Sequence, residues 1–124
     1  MTTTSKPLVL IEAPFAARTR ADRKRNDAYL IAAMRDSLAR GEFPYASALV
    51  FANSGVLDDN DPEHRTLGIE AGLAWGKMAS LTACYVDNGL SDGVRLGIER
   101  AKKEGRPVEL RHVTGWQWPP RSEP

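Results

Sequence analysis

Four short apolar runs alternate along the chain with three stretches of helical periodicity. Leu8-Val9-Leu10-Ile11 is a continuous apolar run bounded by Pro7 before it and Glu12-Ala13-Pro14 after it, the pattern of a strand buried on both faces. Over 20–40, Ala28, Leu30, Ile31, Met34 and Leu38 fall near helical spacing among Arg, Lys and Asp, and Gly41 supplies the stop. Residues 45–51 are apolar and β-capable, entered through Phe43-Pro44 and left through Ala52-Asn53-Ser54-Gly55, and we read them as the second strand. Asp61 can cap a second helix that starts at Pro62 and runs to about Met78. Leu81-Thr82-Ala83-Cys84-Tyr85-Val86 is a third strand closed by the turn-prone Asp87-Asn88-Gly89. Ser91 or Asp92 then caps a third helix carrying Val94, Ile98 and Ala101, which stops at Gly105, and 108–113 form the last strand.

Strands alternating with helices predict an α/β fold: a single-domain three-layer sandwich, Rossmann-like or flavodoxin-like, on a mainly parallel sheet of four or five strands. Ligands of such sheets bind outside the carboxyl ends of the strands. The domain is expected over 7–114. The segment 115–124, with Trp116, Trp118 and three prolines, reads as a loose tail or as an arm laid on a neighbour.

Composition narrows the partners. The 124 residues suit one domain with one core. Seventeen basic against sixteen acidic residues give a net charge of +1, which argues against a dedicated binder of nucleic acid or of a membrane surface. The lone Cys84 lies in an apolar run, no stretch is long and apolar enough to span a bilayer, and Met1 to Lys6 lack a signal-peptide core, so a reducing cytoplasm is expected.

The rim of strand ends carries several candidates. Glu12-Ala13-Pro14-Phe15 follows the first strand, Asn53 to Asp61 the second, Asp87 to Ser91 the third. In the second helix Gly68, Gly72 and Gly76 recur at four-residue spacing, allowing either tight packing on the sheet or close approach of a ligand, and Glu70 sits among them. A carboxylate flanked by apolar residues on such a helix is costly unless paired or used in catalysis. Asp58, Asp59 and Asp61 are nearby acids or solvated turn and cap residues. Asp87-Asn88-Gly89-Leu90-Ser91-Asp92-Gly93 leads into a helix start suited to an anion, or is an ordinary capped connection. Arg18, Arg20, Arg23, Lys24 and Arg25 could hold phosphate or form a solvated helix face. Neither P-loop nor dinucleotide fingerprint is present, His64 and His112 are isolated, and no calcium or zinc spacing occurs, so no cofactor and no metal is expected.

The strand ending in Glu12-Ala13-Pro14-Phe15, the helix Leu67-Gly68-Ile69-Glu70-Ala71-Gly72-Leu73-Ala74, and Asp87 to Gly93 with Gly97-Ile98-Glu99 together resemble the nucleoside 2-deoxyribosyltransferase-like superfamily, in particular small members found mainly in bacteriophages and actinobacteria. The resemblance implies an N-glycosidic-bond enzyme, a hydrolase or deoxyribosyltransferase, acting on a nucleoside or nucleoside 5′-monophosphate in a bacterial cell or phage-infected host. It implies Glu70 as nucleophile on C1′, with Asp87 or Asp61 assisting. Glu12, Pro14, Phe15, Asp58, Ser91 and Gly93 would bind substrate, with Ser91 holding phosphate or sugar. It also implies a homo-oligomer, a dimer or higher, with shared sites. Departures are visible: superfamily members usually have five strands and a glycine-containing turn after the first, where this chain has Glu12-Ala13-Pro14. A non-catalytic nucleotide-binding or sequestering protein using the same pocket is the alternative, and a purely structural protein the third.

Overall fold

The computed structural model describes residues 6–120. Strands β1 (Leu8–Glu12), β2 (Phe43–Tyr45), β3 (Leu81–Tyr85) and β4 (Val108–Arg111) form one parallel sheet in the order β2-β1-β3-β4. The connections are α1 (Arg20–Ala39), α2 (Pro62–Gly76) and α3 (Asp92–Lys103). Each helix begins on a side-chain cap that answers orphan amides. Thr19 accepts from the Asp22 amide at 3.0 Å, Asp61 from Glu63 at 2.9 Å, and Ser91 from Val94 at 3.2 Å.

Strand alternation sorts the core into two layers. Val9, Ile11, Ala83 and Tyr85 cluster with Tyr29, Leu30 and Ala33 of α1 on one face. Leu10, Glu12, Thr82 and Cys84 therefore point to the opposite face, where Gly76 of α2 lies against Leu10 and Gly97 of α3 against Glu12. The sheet is thus sandwiched between α1 and the α2–α3 pair, and the three-layer, four-stranded expectation holds.

The second strand is earlier and shorter than the sequence suggested. Pairing to β1 runs only from Leu8↔Phe43 to Leu10↔Tyr45, and Pro44, which lacks an amide proton, suits the edge position. The chain then leaves the sheet: the Leu49 and Val50 amides donate to the Ala46 carbonyl at 3.1 and 3.3 Å, and Ala48–Asn53 wind into a π-helical turn. An apolar run of this length suits a helical turn as well as a strand, and within 45–51 only Ala46 is buried.

Beyond β4, Trp116 and Trp118 fold back onto their own domain. The Trp116 ring meets Tyr29 edge-on with centroids 4.7 Å apart, its Nε1–H donates to Asn88 Oδ1 at 3.2 Å, and Trp118 stacks on it. The remainder of the proposed tail, 121–124, lies outside the described residues.

Candidate functional site

A cavity of about 320 Å³ opens at the carboxyl end of β1. Its floor is Ile11, Glu12 and Ala13; its walls are Phe15, the π-helical turn, the inner face of α2 and the first turns of α3. The walls are mostly apolar, with a few polar groups turned inward, the usual make-up of a small-molecule pocket.

Glu12 is the chemically distinctive group. It ends an apolar strand, so the alternation that buries Leu10 also turns the Glu12 side chain under α3. Among the described residues none donates a hydrogen bond to its carboxylate and none forms an ion pair with it. Burial pushes its pKa up to about 7, opposed in part by the positive charge of Arg106. Such a carboxyl changes charge near neutral pH, as acid, base or nucleophile chemistry requires. Cys84, its neighbour on β3, is in the opposite condition: burial first, then the charge of Glu12, push the thiol up to about 12. It is an inert core residue.

Glu70 lies elsewhere. It is exposed on α2 and absent from the cavity wall. Gly68, Gly72 and Gly76 explain why: a Cβ at Gly72 would stand 2.5 Å from Ser47 Oγ, and one at Gly76 2.8 Å from Leu10 Cδ2. The glycines face inward for tight packing, and Glu70, two residues from both Gly68 and Gly72, is turned about 200° around the helix from them. The expectation that its carboxylate faces the pocket is corrected.

The other expected residues divide. Phe15, Ser91 and Gly93 join Glu12 in the wall, whereas Pro14, Asp58, Asp61 and Asp87 do not. Asp61 is spent on capping α2. Asp87 accepts from Tyr29 Oη at 2.5 Å and from the Val113 amide at 2.8 Å, and contacts His112 Nδ1 at 3.1 Å. Burial tends to raise its pKa, but these hydrogen bonds outweigh it and hold the carboxyl below its usual value. It fastens β3, α1 and the segment after β4 together.

Two wall residues had no site role in the sequence reading, His64 and Asp59. The Asp58 amide donates to His64 Nδ1 at 3.0 Å, so the neutral ring carries its proton on Nε2. Asp59, weighed earlier only as a nearby acid, is ion-paired with Arg23 at 3.1 Å, and that guanidinium lies 4.6 Å from the Phe15 ring centroid. Arg18, Arg20 and Lys24 are exposed, as a solvated helix face would be. Among the described residues no group of three or more His, Cys, Asp or Glu could hold a metal ion, and no helix is long and apolar enough to cross a membrane.

A family described as a domain of unknown function (DUF7768) matches residues 7–111. The chain belongs to the DUF7768 family. No curated protein matches it. Among solved structures, this DUF7768 chain is similar to a 2-deoxyribosyltransferase from the psychrotolerant bacterium Bacillus psychrosaccharolyticus, described as a biocatalyst for the synthesis of antiviral and antitumoral nucleosides. The match has a TM-score of 0.60 at 19% identity, covering 89% of this chain and 75% of the other. At that identity the likeness establishes the fold: this DUF7768 chain has a nucleoside 2-deoxyribosyltransferase-like architecture.

Proposed function

We propose that the protein is an N-glycosidic-bond enzyme acting on a nucleoside or nucleoside 5′-monophosphate, with Glu12 rather than Glu70 as the working carboxylate. The observation that carries this reading is the unpartnered carboxyl of Glu12 on the floor of the cavity. Its ionised oxygen bonds to C1′ as the bond from C1′ to the base nitrogen breaks, and the base leaves with that electron pair and takes up a proton. Water, or a second base, then releases the sugar from Glu12. The apolar walls, with Phe15 backed by Arg23, suit a base; Ser91 and the first turn of α3 suit the sugar or its phosphate. Self-association belongs to the same reading, since α2 leaves Leu67, Trp75 and Met78, just beyond its end, exposed.

The test is incubation with a panel of nucleosides and nucleoside monophosphates, reading free base by chromatography. Release or exchange of base that is lost in Glu12→Gln and kept in Glu70→Gln supports the proposal. Folded protein that releases and exchanges no base across the panel overturns it.

A binding-only reading draws on the remaining acids of the wall: Asp59 is ion-paired with Arg23, and Asp92 at the start of α3 is exposed rather than buried beside Glu12. Thermal stabilisation by a nucleotide that is recovered intact would favour it.

A further inference from the structure

Arg106, in the turn between α3 and β4, is a buried cation with an incomplete set of partners. Its Nε donates to Thr82 Oγ1 at 2.8 Å and its Nη1 to Glu104 Oε1 at 3.0 Å, while Nη2 is fully buried and has no partner among the described residues. An orphaned buried donor calls for a reason. The surroundings offer Nη2 no acceptor, but they place a carboxyl on the same side of the sheet. Nη2 lies under α2, 3.7 Å from where a Cβ at Gly76 would stand and beside Leu10. Thr82 pairs in register with Leu10, and Cys84 with Glu12, so guanidinium and carboxylate share one sheet face. One repeat along that face separates their levels, roughly 7 Å. Arg106 is buried and Glu12 is partly buried beneath α3 at the floor of the cavity, so attraction over such a distance is stronger than between two charges in open water.

We propose that Arg106 is the counter-charge of Glu12: lodged one strand repeat below it on the same sheet face, the guanidinium keeps that carboxylate ionisable where burial alone would hold it neutral. The other charged or titratable groups around Glu12 are Cys84 on β3, His64 and Arg65 on α2, Asp59 in the loop before it, and Asp92 at the start of α3. Cys84 is a neutral thiol, the His64 ring accepts from the Asp58 amide, Asp59 is committed to Arg23, and Arg65 and Asp92 are exposed. Arg106 is therefore a positioning residue acting through Glu12. Its consequence for catalysis rests on the glycosidic reading, but the coupling is measured without substrate.

The experiment follows the Glu12 side-chain carboxyl carbon by NMR against pH in the full chain, assigned with Glu12→Gln. Arg106→Met should raise the Glu12 midpoint by about one unit, and Arg106→Lys, which restores the charge, should return it to within a few tenths of the native value. A purely structural arginine would alter stability and leave the midpoint in place. Should Arg106→Met fail to fold, Glu104→Gln decides: removing the anion paired with Arg106 should lower the Glu12 midpoint. An unchanged midpoint in Arg106→Met, or in Glu104→Gln if the former cannot be purified folded, overturns the proposal. A null result in the base-release assay leaves this titration untouched, so the two ideas fail separately.

Discussion

The carboxylate of Glu12 fills the space that any side chain at position 97 would need, so that even a methyl group on Gly97 would overlap it. The two residues are 85 positions apart, and only a residue without a Cβ fits beside the Glu12 carboxylate in this arrangement. Gly97→Ala should therefore push Glu12 out of its seat, costing about 1–3 kcal/mol of stability and at least tenfold in base release. Combining it with Glu12→Ala empties the seat. The double variant should then be more stable than the two single changes predict by addition, a coupling read from urea unfolding of all four proteins.

Stability should carry the mark of the same carboxyl. Its folded pKa is raised from 4.5 to about 7, so between those values the native state keeps a proton that the unfolded chain has released, and stability falls as pH rises. At about 1.4 kcal/mol per unit this corresponds to about 3 kcal/mol, a ceiling because the cavity admits water. Glu12→Gln removes the titration. It should be roughly 2–3 kcal/mol more stable than the native protein at pH 8 and equal to it near pH 4 in denaturant unfolding.

Activity should move the other way. A nucleophile must be ionised, so kcat/KM for base release is expected to rise with pH through about 7 and then level off. A profile that falls through the same range would make Glu12 a proton donor to the leaving base instead. The pH dependence of initial rates distinguishes the two roles.

Asp87 should behave as a fastener. Its folded pKa lies below the usual 3.8, so it stabilises the native state above that value and loses the contribution as pH falls through its folded pKa. Asp87→Asn should cost about 1–3 kcal/mol at pH 7 through weakened bonds to Tyr29 and Val113, with the difference fading as pH falls through the lowered pKa of Asp87. Because Asp87 is not in the cavity wall, the folded variant should retain most of its base release.

The sheet was legible because both central strands are largely apolar runs and two of the helices follow residues suited to capping, Asp61 for the second and Ser91 or Asp92 for the third. Residues 45–51 were not, since an apolar run carries no period to separate a buried strand from a helical turn, and pairing with a five-residue β1 decided the outcome. The orientation of Glu70 could have been read. Three glycines at four-residue spacing mark the packed face of α2, and a residue midway between two of them must look away from it. Glu12 offered a weaker sign, an acid at the end of an apolar strand in the same facing as Leu10. What no local pattern carries is its meeting with Gly97 and Arg106, which arises only when β1, α3 and the following turn come together.

The contrast between Gly72 and Glu70 tests that reading of α2 directly. In an exposed helix interior, Gly→Ala gains up to about 1 kcal/mol from helix propensity. At position 72 the new Cβ would lie 2.5 Å from Ser47 Oγ and 2.7 Å from Ser47 Cβ, so α2 must move off the segment before the π-helical turn or the serine must shift. Gly72→Ala should destabilise the protein by about 1–3 kcal/mol and, by displacing a wall of the cavity, weaken ligand binding. Ser47→Gly should recover much of the loss when added to it, because it removes both clashing atoms. Glu70→Ala, on the solvent side of the same turn, should change stability by no more than about 0.5 kcal/mol and leave binding unaltered. Thermal denaturation of the native protein and the three variants with and without nucleotide provides the comparison. Equal sensitivity at positions 70 and 72 would mean that α2 is rotated from the orientation described.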